Sequence, residues 1–153
     1  MKHFFNFIVL VTVCTTLGCG GTKPIKTDYV EGKVTYKGAP VANASINFSP
    51  AAEGQGNSAT GQTDDLGNYK LQTFLGAPGR GTTPGEYIVT INKMESVPSG
   101  KFTTDTDGNR HEVVEETRSL VPNVYTSRTT SPLRATVVGG GPNKFDFDLV
   151  DKP

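Results

Sequence analysis

The sequence predicts an all-β domain, a seven-stranded antiparallel β-sandwich, and three observations carry that prediction. Apolar and polar residues alternate with period two over one short run after another. Turn formers punctuate those runs, with 18 glycines and 10 prolines among 153 residues. No segment shows the apolar spacing of an amphipathic helix, and one polar face per run suits two sheets packed face to face.

The first strand is the alternation of Val30, Gly32, Val34 and Tyr36 with Glu31, Lys33, Thr35 and Lys37, and KGAP turns the chain after it. Ala44, Ile46 and Phe48 form the second, which Pro50 ends. A small-residue stretch holds a weak third strand over residues 58–63, and a DDLG turn leads into Tyr69, Leu71 and Thr73. After GAPGRGTTPG comes the cleanest strand, over residues 86–93, with Tyr87, Val89 and Ile91 on one face. Leu133, Ala135 and Val137 make the sixth, GGGPNK turns, and Phe145, Phe147 and Leu149 make the seventh. The acids between those last apolar residues, Asp146 and Asp148, read as solvated charges guarding an edge.

Residues 94–131 break this rhythm. KFTTDTDGNRHEVVEE reads as a hairpin with Asp107-Gly108 at its turn and Phe102, Val113 and Val114 available for packing. SLVPNVYTSRTTSP reads as an ordered loop anchored by Leu120, Val124 and Tyr125. A connection this long either binds something or covers one end of the sandwich, and the sequence leaves both open.

The N-terminus gives an address. Lys2 precedes a nearly continuous apolar run over residues 4–13, about half the ~20 residues that span a bilayer, so residues 1–18 are expected to be a signal peptide. Leu17-Gly18-Cys19 resembles the lipobox of bacterial lipoproteins. That resemblance implies diacylglyceryl modification of the Cys19 thiol and cleavage before it. The pattern departs in one place, with Thr16 where the family prefers leucine. Ordinary secretory cleavage with a free Cys19 is the alternative. Cys14 would leave with the signal, so no disulfide could form. Residues 19–28 then read as a flexible tether, and 29–151 as the folded domain. The resemblance implies an exported chain held to a membrane by acyl chains on Cys19, with its domain in the periplasm or at the cell surface. Gly20 after the cysteine, rather than aspartate, favours the outer membrane by analogy with sorting in enteric bacteria.

A second resemblance concerns the domain. EGKVTYKGAPVANASINFSP, TDDLGNYKL and PGEYIVTI are similar to the opening, middle and later strands of carboxypeptidase regulatory-like domains, the transthyretin-like or prealbumin-like sandwiches. The ending VPNVYTSRTTSPLRATVVGGGPNKFDFDLV is similar to a branch found in small bacterial lipoproteins. The likeness covers roughly residues 30–150 and lies in turn and core residues. It implies a fold rather than an activity.

Chemistry-bearing residues are sparse. Fifteen basic residues balance fifteen acidic ones, so no basic surface recommends nucleic acid. Beyond the signal stands one histidine, His111, with no paired-cysteine spacing, no HExxH and no Gly-x-Ser-x-Gly. The chain is therefore expected not to be an enzyme and to need no cofactor. Asp105 and Asp107 form a weak calcium candidate lacking the EF-hand spacing, and a self-capping turn explains the same letters. The expected role is an accessory or interaction module of the cell envelope, with an envelope protein or polysaccharide as partner. The alternative is a carbohydrate- or ligand-binding sandwich using residues 94–131, through Arg110, His111, Tyr125 and Arg128.

Overall fold

The computed structural model describes residues 25–73 and 79–153. Among them the chain is all-β, with several sheets, and its one helical element is a single 3-10 turn. The signal peptide, Cys19 and most of the tether lie outside the described residues. The tether's last residue does not: Asp28 is tied down by an antiparallel bridge to Thr82 and accepts a hydrogen bond from the Gly140 amide at 2.7 Å.

In chain order the strands begin with β1 (Val30–Tyr36), β2 (Ala39–Pro40), β3 (Ser45–Pro50) and β4 (Ala59–Gln62). They continue with β5 (Asn68–Lys70), β6 (Gln72–Thr73), β7 (Gly79–Arg80) and β8 (Gly85–Asn92). A long pair, β9 (Met94–Thr104) and β10 (Arg110–Ser119), precedes the 3-10 turn η1 (Asn123–Tyr125). The chain closes with β11 (Arg134–Val137), β12 (Asn143–Lys144) and β13 (Phe147–Leu149).

The larger sheet has six strands in the order β11-β8-β3-β4-β6-β7, all antiparallel. The smaller is centred on β1, with β12 and β13 along one edge and β5 and β2 along the other. One chain segment serves both sheets: β5 pairs with β1, and after Leu71 β6 pairs with β4. The buried faces supply one core, which includes Val30 and Val34 from one sheet and Ile46, Phe48, Tyr87, Val89 and Ile91 from the other. Phe48 sits among four aromatic rings, Tyr69, Tyr87, Phe145 and Phe147, at 5.9 to 6.4 Å between centroids.

Two expectations are corrected here. The strands number thirteen rather than seven among the described residues: the ribbon β9–β10 adds two, the two-residue ladders β2, β7 and β12 add three where turns were expected, and the run over residues 69–73 divides into β5 and β6. The sheets are also not wholly antiparallel: β12 and β13 run parallel to β1. The first and last strands are joined only through the rest of the chain, so no tight hairpin forces them to oppose.

Between β12 and β13 the parallel ladder opens, and three groups bridge the gap. Phe145 N–H donates to the Glu31 carbonyl at 3.0 Å, Asp146 Oδ1 accepts from Lys33 N–H at 2.9 Å, and the Tyr69 hydroxyl donates to the Phe145 carbonyl at 2.8 Å. A Cβ at Gly32 would stand 1.8 Å from that same carbonyl oxygen, so only glycine admits this approach. Asp146 and Asp148, expected as solvated edge charges, are exposed but engaged, Asp148 by the Thr35 hydroxyl at 2.8 Å.

Candidate functional site

The region that the sequence sets apart forms two unlike pieces. β9 and β10 pair only with each other, as a two-stranded ribbon outside the sandwich core. Eleven residues at the rise of a strand give β9 a length of about 36 Å. The ribbon's base is closed by the Leu120 amide donating to the Lys93 carbonyl at 2.8 Å. Near it Arg118 sends both Nε and Nη2 to one carboxylate oxygen of Glu95, at 2.9 and 2.6 Å. Register shifts between Glu112 and Val114, and between Val114 and Glu116, twist the middle of β10.

The ribbon corrects two expectations. It runs over residues 94–119, longer at both ends than the KFTTDTDGNRHEVVEE stretch. Phe102, Val113 and Val114 do not pack into the domain either, being 52%, 39% and 52% exposed. Phe102 instead carries the Arg110 guanidinium 4.1 Å above its ring.

At the tip, Asp105 organises residues 105–109. Its Oδ1 accepts from the amides of Asp107 and Asn109 at 3.0 and 2.8 Å, and its Oδ2 meets the Asn109 side-chain amide at 3.2 Å. His111 Nε2 lies 2.8 Å from the same Oδ2. The His111 contact first, then the Asn109 amide, hold the Asp105 carboxyl below its ordinary range. Among the described residues no group of three or more His, Cys, Asp or Glu side chains is placed to share a metal ion.

The second piece, residues 120–133, lies against the sandwich. Tyr125 is buried, its hydroxyl donating to the Val150 carbonyl and accepting from the Val150 amide, both at 3.1 Å. Val121 is buried beside it and Val124 packs on the core, whereas Leu120, expected as an anchor, is exposed. Arg128 donates to the Pro50 carbonyl at 2.6 Å and the Ala51 carbonyl at 3.3 Å, stapling this loop to the end of β3. The four ligand candidates are thus divided. Arg110 and His111 stand at the ribbon tip, while Tyr125 and Arg128 hold the loop to the body.

Sequence reasoning passed over a further surface. A groove of about 720 Å³ runs along the outside of β3 and β4 and the β5–β6 segment that changes sheets. Ser45, Asn47, Thr60, Gln62 and Gln72 face it. At alternate strand positions such residues read as an ordinary solvated face. The signal that could have found them is that this face carries amides and hydroxyls where an exposed sheet usually carries charge.

No protein-family model matches the chain, and no curated protein matches it. Among solved structures it is similar to a 9R-lipoxygenase from Cyanothece PCC8801, with a TM-score of 0.33 and 14% identity over 81% of this chain. The match spans 16% of the lipoxygenase chain. The expectation that this chain is not an enzyme is withdrawn, since the structural neighbour is one. A likeness this slight carries no activity across.

Proposed function

We propose that this chain is a lipid-anchored cell-envelope protein. Its transthyretin-like, carboxypeptidase regulatory-like sandwich acts as an accessory or interaction module, and the ribbon of residues 94–119 is its contact element. Leu17-Gly18-Cys19 supports the anchor, with Cys19 carrying the acyl chains. The fold family rests on the turn and core motifs described above, and the placement in the outer membrane rests on Gly20.

The observation that carries the interaction reading is the ribbon itself. A two-stranded hairpin is marginally stable in water, and this one leaves Met94, Phe102 and Val114 more than half exposed. Both of its outer edges lack a strand partner among the described residues. An added strand from a partner protein would satisfy an edge and cover apolar area at once, the chemistry of β-strand addition.

Two measurements test this. Cys19→Ser protein is expected to leave the membrane fraction; continued sedimentation with membranes would refute the anchor. Crosslinking and pull-down of the full-length protein from solubilised envelopes is expected to recover one protein in near-stoichiometric amount. A chain lacking residues 94–119 should lose that protein. Equal recovery without the ribbon would refute its role.

A further inference from the structure

We propose that the groove on the outer face of the larger sheet binds a neutral oligosaccharide. Asn47 lies opposite Thr60, and Thr60 opposite Gln72, so three strands contribute one row; Ser45 lies opposite Gln62 in the next row. The inward neighbours Ile46, Phe48, Ala59 and Leu71 are buried, which by strand alternation turns all five polar side chains outward.

These five side chains have no structural employment. Among the described residues none makes a side-chain hydrogen bond to the protein. Two polar residues elsewhere in the domain show the contrast. Thr63 Oγ1 accepts from the Ala44 amide at 2.8 Å, and Asn143 braces the turn after β11 through the Val138 amide and carbonyl at 2.8 and 3.0 Å. The groove therefore presents three carboxamides and two hydroxyls with their donors and acceptors open.

That chemistry selects a ligand class. Every one of the five groups both donates and accepts, which complements a chain of hydroxyls that do the same. None is charged, and the rim adds one cation and one anion, Lys70 and Asp64, so an anionic ligand gains nothing. The one aromatic residue in the lining, Tyr69, is only 2% exposed, so the groove offers no open apolar side chain to hold a lipid. The volume lies within the range of small-ligand sites and admits several sugar rings. This site is separate from the ribbon, and neither reading depends on the other.

The test is amide chemical-shift mapping of the full-length chain titrated with cellohexaose, maltohexaose and chitohexaose, with polygalacturonate as a charged control. At least one neutral oligosaccharide, at up to ~10 mM, is expected to shift signals of residues 45–47, 60–62 and 72. Asn47→Ala and Gln72→Ala should each weaken that binding about tenfold, by removing one hydrogen-bonding partner, with thermal melting unchanged. Gln62→Ala serves as a third variant should either fail to fold. Absence of shifts with all three sugars overturns the proposal. So do shifts mapping elsewhere, variants that bind as well as the parent, or binding of polygalacturonate alone.

Discussion

Residues 64–68 and 105–109 both read Asp-x-x-Gly-Asn, and both fold into the same turn. In each, the aspartate Oδ1 accepts from the amides two and four residues on, and Oδ2 from the terminal asparagine side chain. In each, the glycine takes a positive φ, 79° at Gly67 and 85° at Gly108. Their surroundings differ. A Cβ on Gly67 would come within 2.5 Å of the Val34 carbonyl oxygen, whereas one on Gly108 would meet nothing within 4 Å. The first turn is pressed onto β1, and Gly67's own carbonyl accepts from the Val34 amide at 2.8 Å. The second stands free at the end of the ribbon. Local chemistry sets the shape of a turn, and long-range packing decides whether the fold depends on it.

Alanine substitution separates the two most strongly. Gly67→Ala must adopt an unfavourable φ and also displace backbone, so it is expected to lower the stability of the whole domain by about 3 kcal/mol in calorimetry. Gly108→Ala meets only the conformational cost, about 1 kcal/mol, confined to the ribbon. The expected reading is faster amide exchange over residues 94–119 with the main melting transition unmoved. Equal effects on melting would erase the distinction.

The smallest expected effect is on pH response. Both Asp64 and Asp105 have folded pKa values below the reference of 3.8, Asp64 chiefly through the Asn68 backbone amide and Asp105 chiefly through His111. A depressed carboxyl stabilises the fold above its unfolded pKa and loses that contribution as pH falls through the folded value. Both turns should hold from neutral pH to about 4 and loosen only below that. His111→Ala should bring the Asp105 titration, followed by carboxyl NMR, back toward 3.8 and leave Asp64 unmoved. A matching move at Asp64 would show that the His111 contact is not what separates them.

Much of the sandwich was legible because period two fixes which residues share a face. Ile46 and Phe48, Tyr87, Val89 and Ile91, and Ala135 and Val137 are buried where the alternation places them. The hydroxyls of Tyr69 and Tyr87 find carbonyl partners, Phe145 and Thr83, as rings buried at a sheet end require. The parallel pairing of β1 with β12 and β13 was not legible, since register between distant strands leaves no local mark.

The candidate site was read less well, for a related reason. Phe102, Val113 and Val114 look like core residues because periodicity tells which side chains lie together and not whether anything covers them. Tyr125 is expected both as an anchor of its loop and as a ligand contact, and its buried ring and the closure of its hydroxyl on Val150 give it the first role. The groove escaped notice because Asn47, Thr60 and Gln72 become one row only when three strands align.

The most direct test of the ribbon as an appendage with its own role is to remove residues 94–119 and join Lys93 to Leu120, already hydrogen-bonded neighbours, through a short glycine turn. The expected result is a melting temperature within about 4 °C of the parent, a change under ~1 kcal/mol, with loss of the crosslinked partner. A chain that no longer folds would make the ribbon part of the sandwich's own structure and rule out an independent role as an appendage.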